Sequence, residues 1–151
     1  MVGACRQLVD TVTLAFHHRE QVQVVELDLQ AAYNIVWQAR LWLKLWRKGI
    51  EEQLIWWIRG FLLDRMSQIV VGEATLEVHP GCGVPQGSPL SCPLFLVFID
   101  DLLWALLSAR WTSQQAFADD LILWHAGSFW LGVIHQGLQK ALRLAERWAI
   151  F

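Results

Sequence analysis

Two adjacent acidic residues, Asp119 and Asp120, interrupt a strongly apolar run that reads AFADDLILW. Apolar segments on both sides of a short polar pair are typical of two strands joined by a tight turn, where Asp is a favourable residue. A third carboxylate, Asp28, ends another apolar, β-branched run, QVQVVELD. Such strands are usually buried, and a buried carboxylate is costly without a partner. These three residues therefore restrict most strongly how the chain can fold.

Carboxylates on neighbouring strands are candidate ligands for a hard divalent cation. Asp119 and Asp120 repel each other, and Mg²⁺, which prefers carboxylate and phosphate oxygens, removes that repulsion. Asp28 on an adjacent strand would complete a two-metal site of the kind that serves phosphoryl transfer. The alternative is that the Asp pair is only the polar turn of a hairpin, and the pair alone does not separate the two interpretations.

Helical and extended patterns alternate irregularly along the chain, with no linker or repeat, which predicts a single α+β unit over residues 1–151. Helices are predicted over residues 4–18, 35–48, 51–63, 89–109 and 130–148. Strands are predicted over residues 21–29, 68–71, 75–78, 114–118 and 121–124. Several of the ten Trp residues occupy apolar helical positions, which predicts that they belong to the core: Trp42, Trp46, Trp56, Trp57 and Trp104.

Residues 89–109 are long and apolar enough to span a bilayer. Asp100 and Asp101 lie near the middle, however, and each would cost about 2.5–3.5 kcal/mol there. A buried helix of a soluble domain is therefore the preferred interpretation, with Asp100 and Asp101 as a surface or capping pair.

The charge balance excludes a strongly basic protein, because the net charge is −2 and charged residues make up only 17% of the chain. Any contact with nucleic acid then requires local clustering of basic residues. Arg40, Lys44 and Arg47 are spaced to share one face of the predicted helix 35–48. That face either contacts nucleic-acid phosphate or is the solvated side of an amphipathic helix, which is the commoner case.

A Gly- and Pro-rich segment, GCGVPQGSPLS at residues 81–91, precedes the long apolar helix. Ser88 is a suitable N-cap, and Pro89 would then be the first helical residue. A helix start approached by a Gly-rich loop suits a phosphate-bearing or base-paired ligand. A purely structural turn before a buried helix explains the same residues equally well.

Taken together, these segments resemble the palm of a reverse transcriptase, most closely that of non-LTR retrotransposons. VVELDLQAAYNIVW, GVPQGSPLS followed by LFLVFIDDL, and AFADDLILW occur in the order and at the separations of that family, from about Cys5 to Trp148. The resemblance implies a partial reverse transcriptase fold, in which a small antiparallel sheet with an Asp-Asp hairpin packs on helices. It also implies a partial domain, namely the palm with the end of the fingers, lacking most of the fingers and the thumb. Part of the apolar, Trp-rich surface would then be exposed for want of the segments that cover it.

The resemblance further implies that Asp28, Asp119 and Asp120 are catalytic and hold two Mg²⁺ ions, or Mn²⁺ in their place. The reaction would be transfer of a nucleotide from a dNTP to a primer 3′-hydroxyl on an RNA template. The partners would be an RNA template, a DNA primer, dNTP and the missing segments of a longer polyprotein, with no membrane.

Nucleotide contacts are implied for Tyr33, Gln86 and Gly87. The ring of Tyr33 would lie under the sugar and exclude a 2′-hydroxyl. The alternative interpretation is that Tyr33 is an ordinary aromatic residue of the core. The residues implied to lie near the primer or template are Phe117, Ala118, Arg40 and Lys44.

Two departures from the family pattern affect these expectations. Asn34 stands where the family usually has Asp, which is not a metal-ligand position. Pro93 is displaced by one residue and would be the fifth helical residue if Pro89 is the first, so we expect a kinked helix start that shifts Gln86.

Polymerisation is one of three functional hypotheses. The second is a catalytically inactive retrotransposon remnant that folds or associates without polymerising, and the third is a membrane-associated protein. Three cysteines without a paired pattern and a polar N-terminus predict an intracellular location, nuclear or cytoplasmic, rather than secretion.

Overall fold

The computed structural model of the chain describes residues 2–63, 65–109, 112–117, 119–127 and 131–150. Five helices are seen in this part of the chain: α1 (Val2–His18), α2 (Gln38–Arg47), α3 (Glu52–Leu62), α4 (Ser91–Ala109) and α5 (Leu131–Ile150). The strands are β1 (Gln21–Asp28), β2 (Ser67–Val71), β3 (Ala74–Val78), β4 (Ser113–Phe117) and β5 (Asp120–Gly127). Small antiparallel sheets accompany helices, which confirms the predicted α+β class.

The chain forms two compact units, and the boundary between them falls within α4. The first unit comprises residues 1–30 and 100–151, and the second comprises residues 31–99. The first contains a three-stranded sheet, and the second contains a two-stranded hairpin.

The sheet of the first unit has the strand order β1-β5-β4, and both pairs are antiparallel. Val25 lies opposite Leu123 and Leu27 lies opposite Leu121 on β1 and β5. Because side chains alternate along a strand and opposite residues share a face, these four apolar side chains point to the same side.

The core of this unit forms on that side. Leu121 and Leu123 pack against Leu102 and Leu106 of α4 and against Leu138 of α5. All five side chains are almost fully buried. Leucines four residues apart on a helix share one face, so α4 presents Leu102 and Leu106 to the sheet together.

The opposite face of the sheet is covered at one end. Trp124 of β5 is buried there, and its indole N–H donates to the hydroxyl of Thr11 on α1 at 3.3 Å. Helix α1 packs against β1 and β5. Four residues further along β5, about 13 Å away at the usual rise of a strand, Asp120 is exposed on the same face.

The second unit consists of α2, α3, the β2–β3 hairpin, a loop over residues 79–90 and the beginning of α4. Its buried apolar residues include Leu41 and Leu45 of α2, Ile58 and Leu62 of α3, and Phe95 of α4. Every residue of β2 and β3 is exposed.

Two predicted helix starts are wrong. Helix α2 begins at Gln38 rather than residue 35, because residues 31–35 form a turn in which Ala31 has φ 56° and its carbonyl accepts the Ile35 N–H. Helix α4 begins at Ser91 rather than Pro89, and the Leu90 carbonyl accepts its first helical bond, from the Leu94 N–H.

The later start of α4 changes the expectation for Pro93. This residue is the third of the helix and not the fifth, so it belongs to the first turn, whose N–H groups have no partner within the helix. A proline there removes no helical hydrogen bond, and the expected kink has no cause.

The prediction that the tryptophans form the core is wrong for four of them, which instead follow the alternative that part of this apolar surface is exposed. Trp46 is 69% exposed, and Trp56, Trp57 and Trp104 are also more than half exposed. Their helices bury other positions, such as Leu45 on α2 and Ile58 on α3. Trp residues fill so much of these sequences that the apolar pattern does not identify the buried side of each helix.

One described helix, α4, is long and apolar enough to cross a membrane, judged by length and composition alone. Its two sides differ within the first unit: Leu102 and Leu106 are buried in the core, whereas Trp104 and Leu107 are exposed. Asp101 is exposed and accepts a hydrogen bond from the indole N–H of Trp148 at 2.8 Å.

Truncating the centre of the first core should destabilise the protein strongly. Leu123 is 0% exposed, and we expect Leu123→Ala to lower the free energy of unfolding by about 2–5 kcal/mol. The matched control is Leu107→Ala on α4, where the side chain is 61% exposed and a change within about 0.5 kcal/mol is expected. Urea unfolding followed by circular dichroism measures both, and equal losses in the two variants would contradict this description of the core.

Candidate functional site

Asp28 and Asp120 lie directly opposite each other at the ends of β1 and β5. The next pair along is joined by a hydrogen bond, because the Leu29 N–H donates to the Asp119 carbonyl at 3.1 Å. Pairs alternate between hydrogen-bonded and non-bonded positions, so Asp28 and Asp120 form a non-bonded pair, whose Cα atoms are usually about 4.5 Å apart. The structure therefore brings two of the three predicted carboxylates side by side on one face of the sheet.

Asp119 differs from its two predicted partners. It precedes β5 in a turn and is half-buried, whereas Asp28 and Asp120 are exposed. Among the described residues, no three His, Cys, Asp or Glu side chains form a group that could hold a metal ion. The backbone carbonyl of Asp119 thus accepts a hydrogen bond next to β1, but its side chain does not join Asp28 and Asp120 in a group of three metal ligands.

The expected burial of the carboxylates is not observed for Asp28 and Asp120. Both end their strands on the uncovered part of the face, where water solvates them. In the part of the chain that the structure describes, no ion pair joins either of them to a basic side chain. Like charges directly opposite each other are destabilising in a sheet. A divalent cation would relieve this repulsion, and two carboxylates are the hard oxygen donors that Mg²⁺ takes, so these two residues fit the ion.

Phe117 extends the same row onto the third strand. It lies opposite Asp120 across β4 and β5, and its side chain is 57% exposed. Asp28, Asp120 and Phe117 therefore form one row across the sheet. Ala118, the other residue predicted near the primer, lies outside the described residues.

In the second unit, the Gly-rich loop is bound to the turn that carries Tyr33. The Val84 N–H donates to the Tyr33 carbonyl at 2.7 Å, and the Gly83 N–H donates to the Val36 carbonyl at 2.8 Å. Gly83 has φ 82°, and a Cβ atom there would come within 2.7 Å of the Asn34 carbonyl oxygen. Only glycine allows both this conformation and this close approach.

The Gly83 carbonyl accepts hydrogen bonds from two side chains. Arg65 donates to it at 2.9 Å and buried Gln38 donates at 3.3 Å. Burying a carbonyl without a donor costs free energy, so these bonds stabilise the loop in one conformation.

The tip of the loop is a tight turn that exposes Gln86 and Gly87. The Ser88 N–H approaches the Pro85 carbonyl at 3.4 Å, and Gly87 has φ 87°. A positive φ at the third position is the mark of a type II turn, which explains the glycine. The Ser88 hydroxyl accepts from the Leu90 N–H two residues on, as an N-cap does, but this bond closes the turn before Ser91, where α4 begins.

Tyr33 is half-buried at the base of this loop. Its ring stacks on Phe95 of α4, with centroids 5.1 Å apart and planes 27° apart. Its hydroxyl lies 3.4 Å from the sulfur of Cys92, also on α4. The environment is neither a fully enclosed core nor free solvent.

The predicted basic face of α2 is divided by burial. Lys44 is buried, and its ammonium donates to the Phe98 carbonyl and lies 4.7 Å from the centre of the Phe98 ring. Arg40 approaches the same ring at 5.9 Å, whereas Arg47 is exposed. A solvated face is therefore the wrong description of Lys44, which is engaged within the second unit.

Four residues with clear structural roles were not singled out from the sequence. Gln38 and Arg65 hold the Gly83 carbonyl, and Cys92 and Phe95 hold the Tyr33 ring. Only Cys92 and Phe95 could have been found from the sequence. They stand three residues apart near the start of a predicted helix, and residues at that spacing share one face of the helix.

The sequence that carries these carboxylates and this loop matches a known protein family. The model of the family described as reverse transcriptase (RNA-dependent DNA polymerase) matches residues 4–149, nearly the whole chain. The chain is therefore a member of the reverse transcriptase family, as its motifs predicted.

Its relatives include polymerases of non-LTR retrotransposons. The chain is 34% identical over 128 residues, or 77% of its length, to a retrovirus-related Pol polyprotein from the type-1 retrotransposable element R2 of Popillia japonica. It is 26% identical over 97% of its length to a probable RNA-directed DNA polymerase from transposon BS of Drosophila melanogaster. The RNA-directed DNA polymerase from the mobile element jockey of the same species is 26% identical over 95%.

These relatives are much longer than the chain. The matches cover 18%, 17% and 16% of the R2, BS and jockey proteins respectively. The chain thus corresponds to less than a fifth of each.

The close approach of Gly83 gives a test of the loop. We expect Gly83→Ala to lower the free energy of unfolding by at least about 1–3 kcal/mol, the usual cost of such a strained backbone, with the Cβ clash in addition. Gly81→Ala is the control, since nothing lies within 4 Å of its added Cβ and it should change stability by less than about 1 kcal/mol. Similar unfolding midpoints for the two variants would show that the loop is not held as described.

Proposed function

We propose that the chain is the palm segment of an RNA-directed DNA polymerase, which adds nucleotides from dNTP to a primer 3′-hydroxyl on an RNA template. One observation carries the proposal: within a chain that belongs to the reverse transcriptase family, Asp28 and Asp120 face each other at the exposed end of the sheet. Carboxylates at that position can meet a nucleic-acid end from solvent, which a buried pair cannot.

In this proposal, Asp28 and Asp120 are the main ligands of the catalytic Mg²⁺, and Asp119 joins them when nucleotide and primer are bound. Bound Mg²⁺ would supply Lewis acidity towards the primer hydroxyl and the departing pyrophosphate. Phe117, one strand away from Asp120, would support the primer end by contact with its sugar or base.

By resemblance to the family, Tyr33, Gln86 and Gly87 would contact the incoming nucleotide. The exposed Gln86 amide can donate to or accept from a base or sugar, and the backbone at Gly87 leaves room for close approach. The ring of Tyr33 would lie against the sugar and exclude a 2′-hydroxyl by contact.

A second candidate function is folding or association without polymerisation, as in an inactive retrotransposon remnant. The position of Asp119 favours it, because among the described residues no third acidic side chain joins Asp28 and Asp120 as a metal ligand. Positioning matters here, since a misplacement of about 1 Å can cost about 100-fold in rate.

Cation binding tests the carboxylate pair without requiring catalysis. We expect the chain to bind Mn²⁺, measured by loss of the free-ion EPR signal, and Asp28→Asn or Asp120→Asn to weaken binding at least about tenfold, as loss of even an outer-shell partner can. Glu26→Gln is the matched control, because Glu26 is exposed on β1 two residues from Asp28 and faces Ile122 rather than a carboxylate. Equal binding by all four proteins would remove the pair as a metal site.

Polymerisation is tested by primer extension on poly(rA)/oligo(dT) with Mg²⁺. We expect incorporation of dTTP that disappears in Asp119→Asn, because the amide lacks the charge that a cation ligand supplies. If the folded wild-type chain binds Mn²⁺ but incorporates nothing, the inactive alternative is correct for the isolated chain.

A further inference from the structure

Two side chains of the first turns of α4 hold Tyr33. The phenol oxygen lies 3.4 Å from Cys92 Sγ, and the ring stacks on Phe95 with centroids 5.1 Å apart. Cys92 and Phe95 are three residues apart, so they share one face of the helix. The ring is therefore contacted at its face and at its hydroxyl by the same short helical segment.

The two contacts restrict different motions. Phe95 is only 2% exposed, so its ring is fixed by the surrounding core and defines the plane against which Tyr33 stacks. Stacking alone allows the Tyr33 ring to slide parallel to that plane. A hydrogen bond at the phenol oxygen opposes sliding, since it depends on distance and direction.

The backbone of Tyr33 is held independently. Its carbonyl accepts the Val84 N–H at 2.7 Å, and an added Cβ on Gly83 would come within 2.9 Å of the same oxygen. With the main chain constrained by the loop, the remaining freedom of Tyr33 is rotation of its side chain, which Cys92 and Phe95 limit.

We infer that Cys92 is a positioning residue for Tyr33, and that together with Phe95 it sets how strongly the site discriminates deoxynucleotides from ribonucleotides. The inference rests on the proposed function, because it assigns Tyr33 to the nucleotide sugar. The two sugars differ by one oxygen atom, so a ring that excludes one of them must be held to a fraction of an ångström. Cys92 accordingly affects sugar selection more than overall nucleotide affinity.

The chemistry of the thiol suggests matched variants. Cys92→Ala removes the thiol that lies 3.4 Å from the phenol oxygen, whereas Cys92→Ser keeps a small side chain that can both donate and accept. Cys82→Ala is the control: Cys82 is also an exposed free thiol, and it donates to the Asn34 carbonyl at 3.3 Å, next to Tyr33 but not to its hydroxyl.

The chain contains a single tyrosine, which gives a direct spectroscopic test. Incorporation of 3-fluorotyrosine into the full chain places one ¹⁹F resonance at Tyr33. We expect Cys92→Ala to move this resonance and change its width, Cys92→Ser to restore it towards the wild-type position, and Cys82→Ala to leave it unchanged. Circular dichroism confirms that each variant is folded. An identical resonance in wild type and Cys92→Ala would overturn the inference.

The link to sugar selection is tested on poly(rA)/oligo(dT) whose primer ends in a dideoxynucleotide, so that no turnover is needed. We expect dTTP to shift the ¹⁹F resonance of the wild-type chain at lower concentration than UTP does. In Cys92→Ala, this preference should fall by about two- to tenfold, the factor that corresponds to the usual net contribution of one hydrogen bond. Binding of dTTP itself should weaken less.

The outcomes separate this inference from the proposed function. If dTTP shifts the resonance and Cys92→Ala reduces the preference over UTP, the inference stands even when primer extension fails. If dTTP shifts the resonance but Cys92→Ala keeps the wild-type preference, Cys92 does not act through Tyr33. If neither nucleotide shifts the resonance while primer extension succeeds, Tyr33 does not meet the nucleotide and the inference is wrong.

Discussion

The antiparallel pairing of β1 with β5 in a single register is the constraint on which the first unit depends. It places Leu27 opposite Leu121 on the core side and Asp28 opposite Asp120 on the other side. A slip of one residue would turn every side chain of a strand to the opposite face, moving leucines into water and carboxylates towards α5. Burial of the leucines therefore also positions the acids, since one backbone arrangement serves both.

The pair of acids is stable in this arrangement because it lies where the covered part of the sheet ends. Helix α1 packs over the Trp124 end of this face, while Asp28 and Asp120 remain solvated. Solvation reduces the repulsion between the two carboxylates but does not remove it. A cation bound between the two carboxylates would relieve the remaining repulsion, which is the role assigned to Mg²⁺ in the proposed function.

The second unit depends on the close contact between Gly83 and residues 33–36. The Gly83 and Val84 N–H groups donate to the Val36 and Tyr33 carbonyls, and the Gly83 carbonyl accepts from two side chains that lie far apart in sequence, Gln38 and Arg65. This contact holds the turn of Tyr33 on one side and the exposed turn of Gln86 on the other. A loop that looks flexible from its glycine content is thus one of the more constrained parts of the chain.

Much of the secondary structure was predictable from local pattern, and so was the family. The strand that ends at Asp28, the end of the helix predicted over 35–48 and the strands predicted over 68–71 and 75–78 all occur within a residue of where the sequence indicated. The starts of α2 and α4 were not, because residues 31–35 form a turn with Ala31 at a positive φ, and because another turn, closed by the Ser91 N–H on the Ser88 carbonyl, precedes α4.

By itself, the sequence determined which segments are helical or extended, where the three acids stand along the chain, and membership of the reverse transcriptase family. Only the tertiary structure decided which acids face each other, that Lys44 bonds to a backbone carbonyl, that Trp46 is exposed while Leu45 is buried, and that Cys92 reaches Tyr33. The physical reason is the separation in sequence between the residues that interact. Helix and strand preferences arise from residues a few positions apart, whereas burial, strand register and side-chain partners arise from segments that are distant in sequence and meet only in the folded chain.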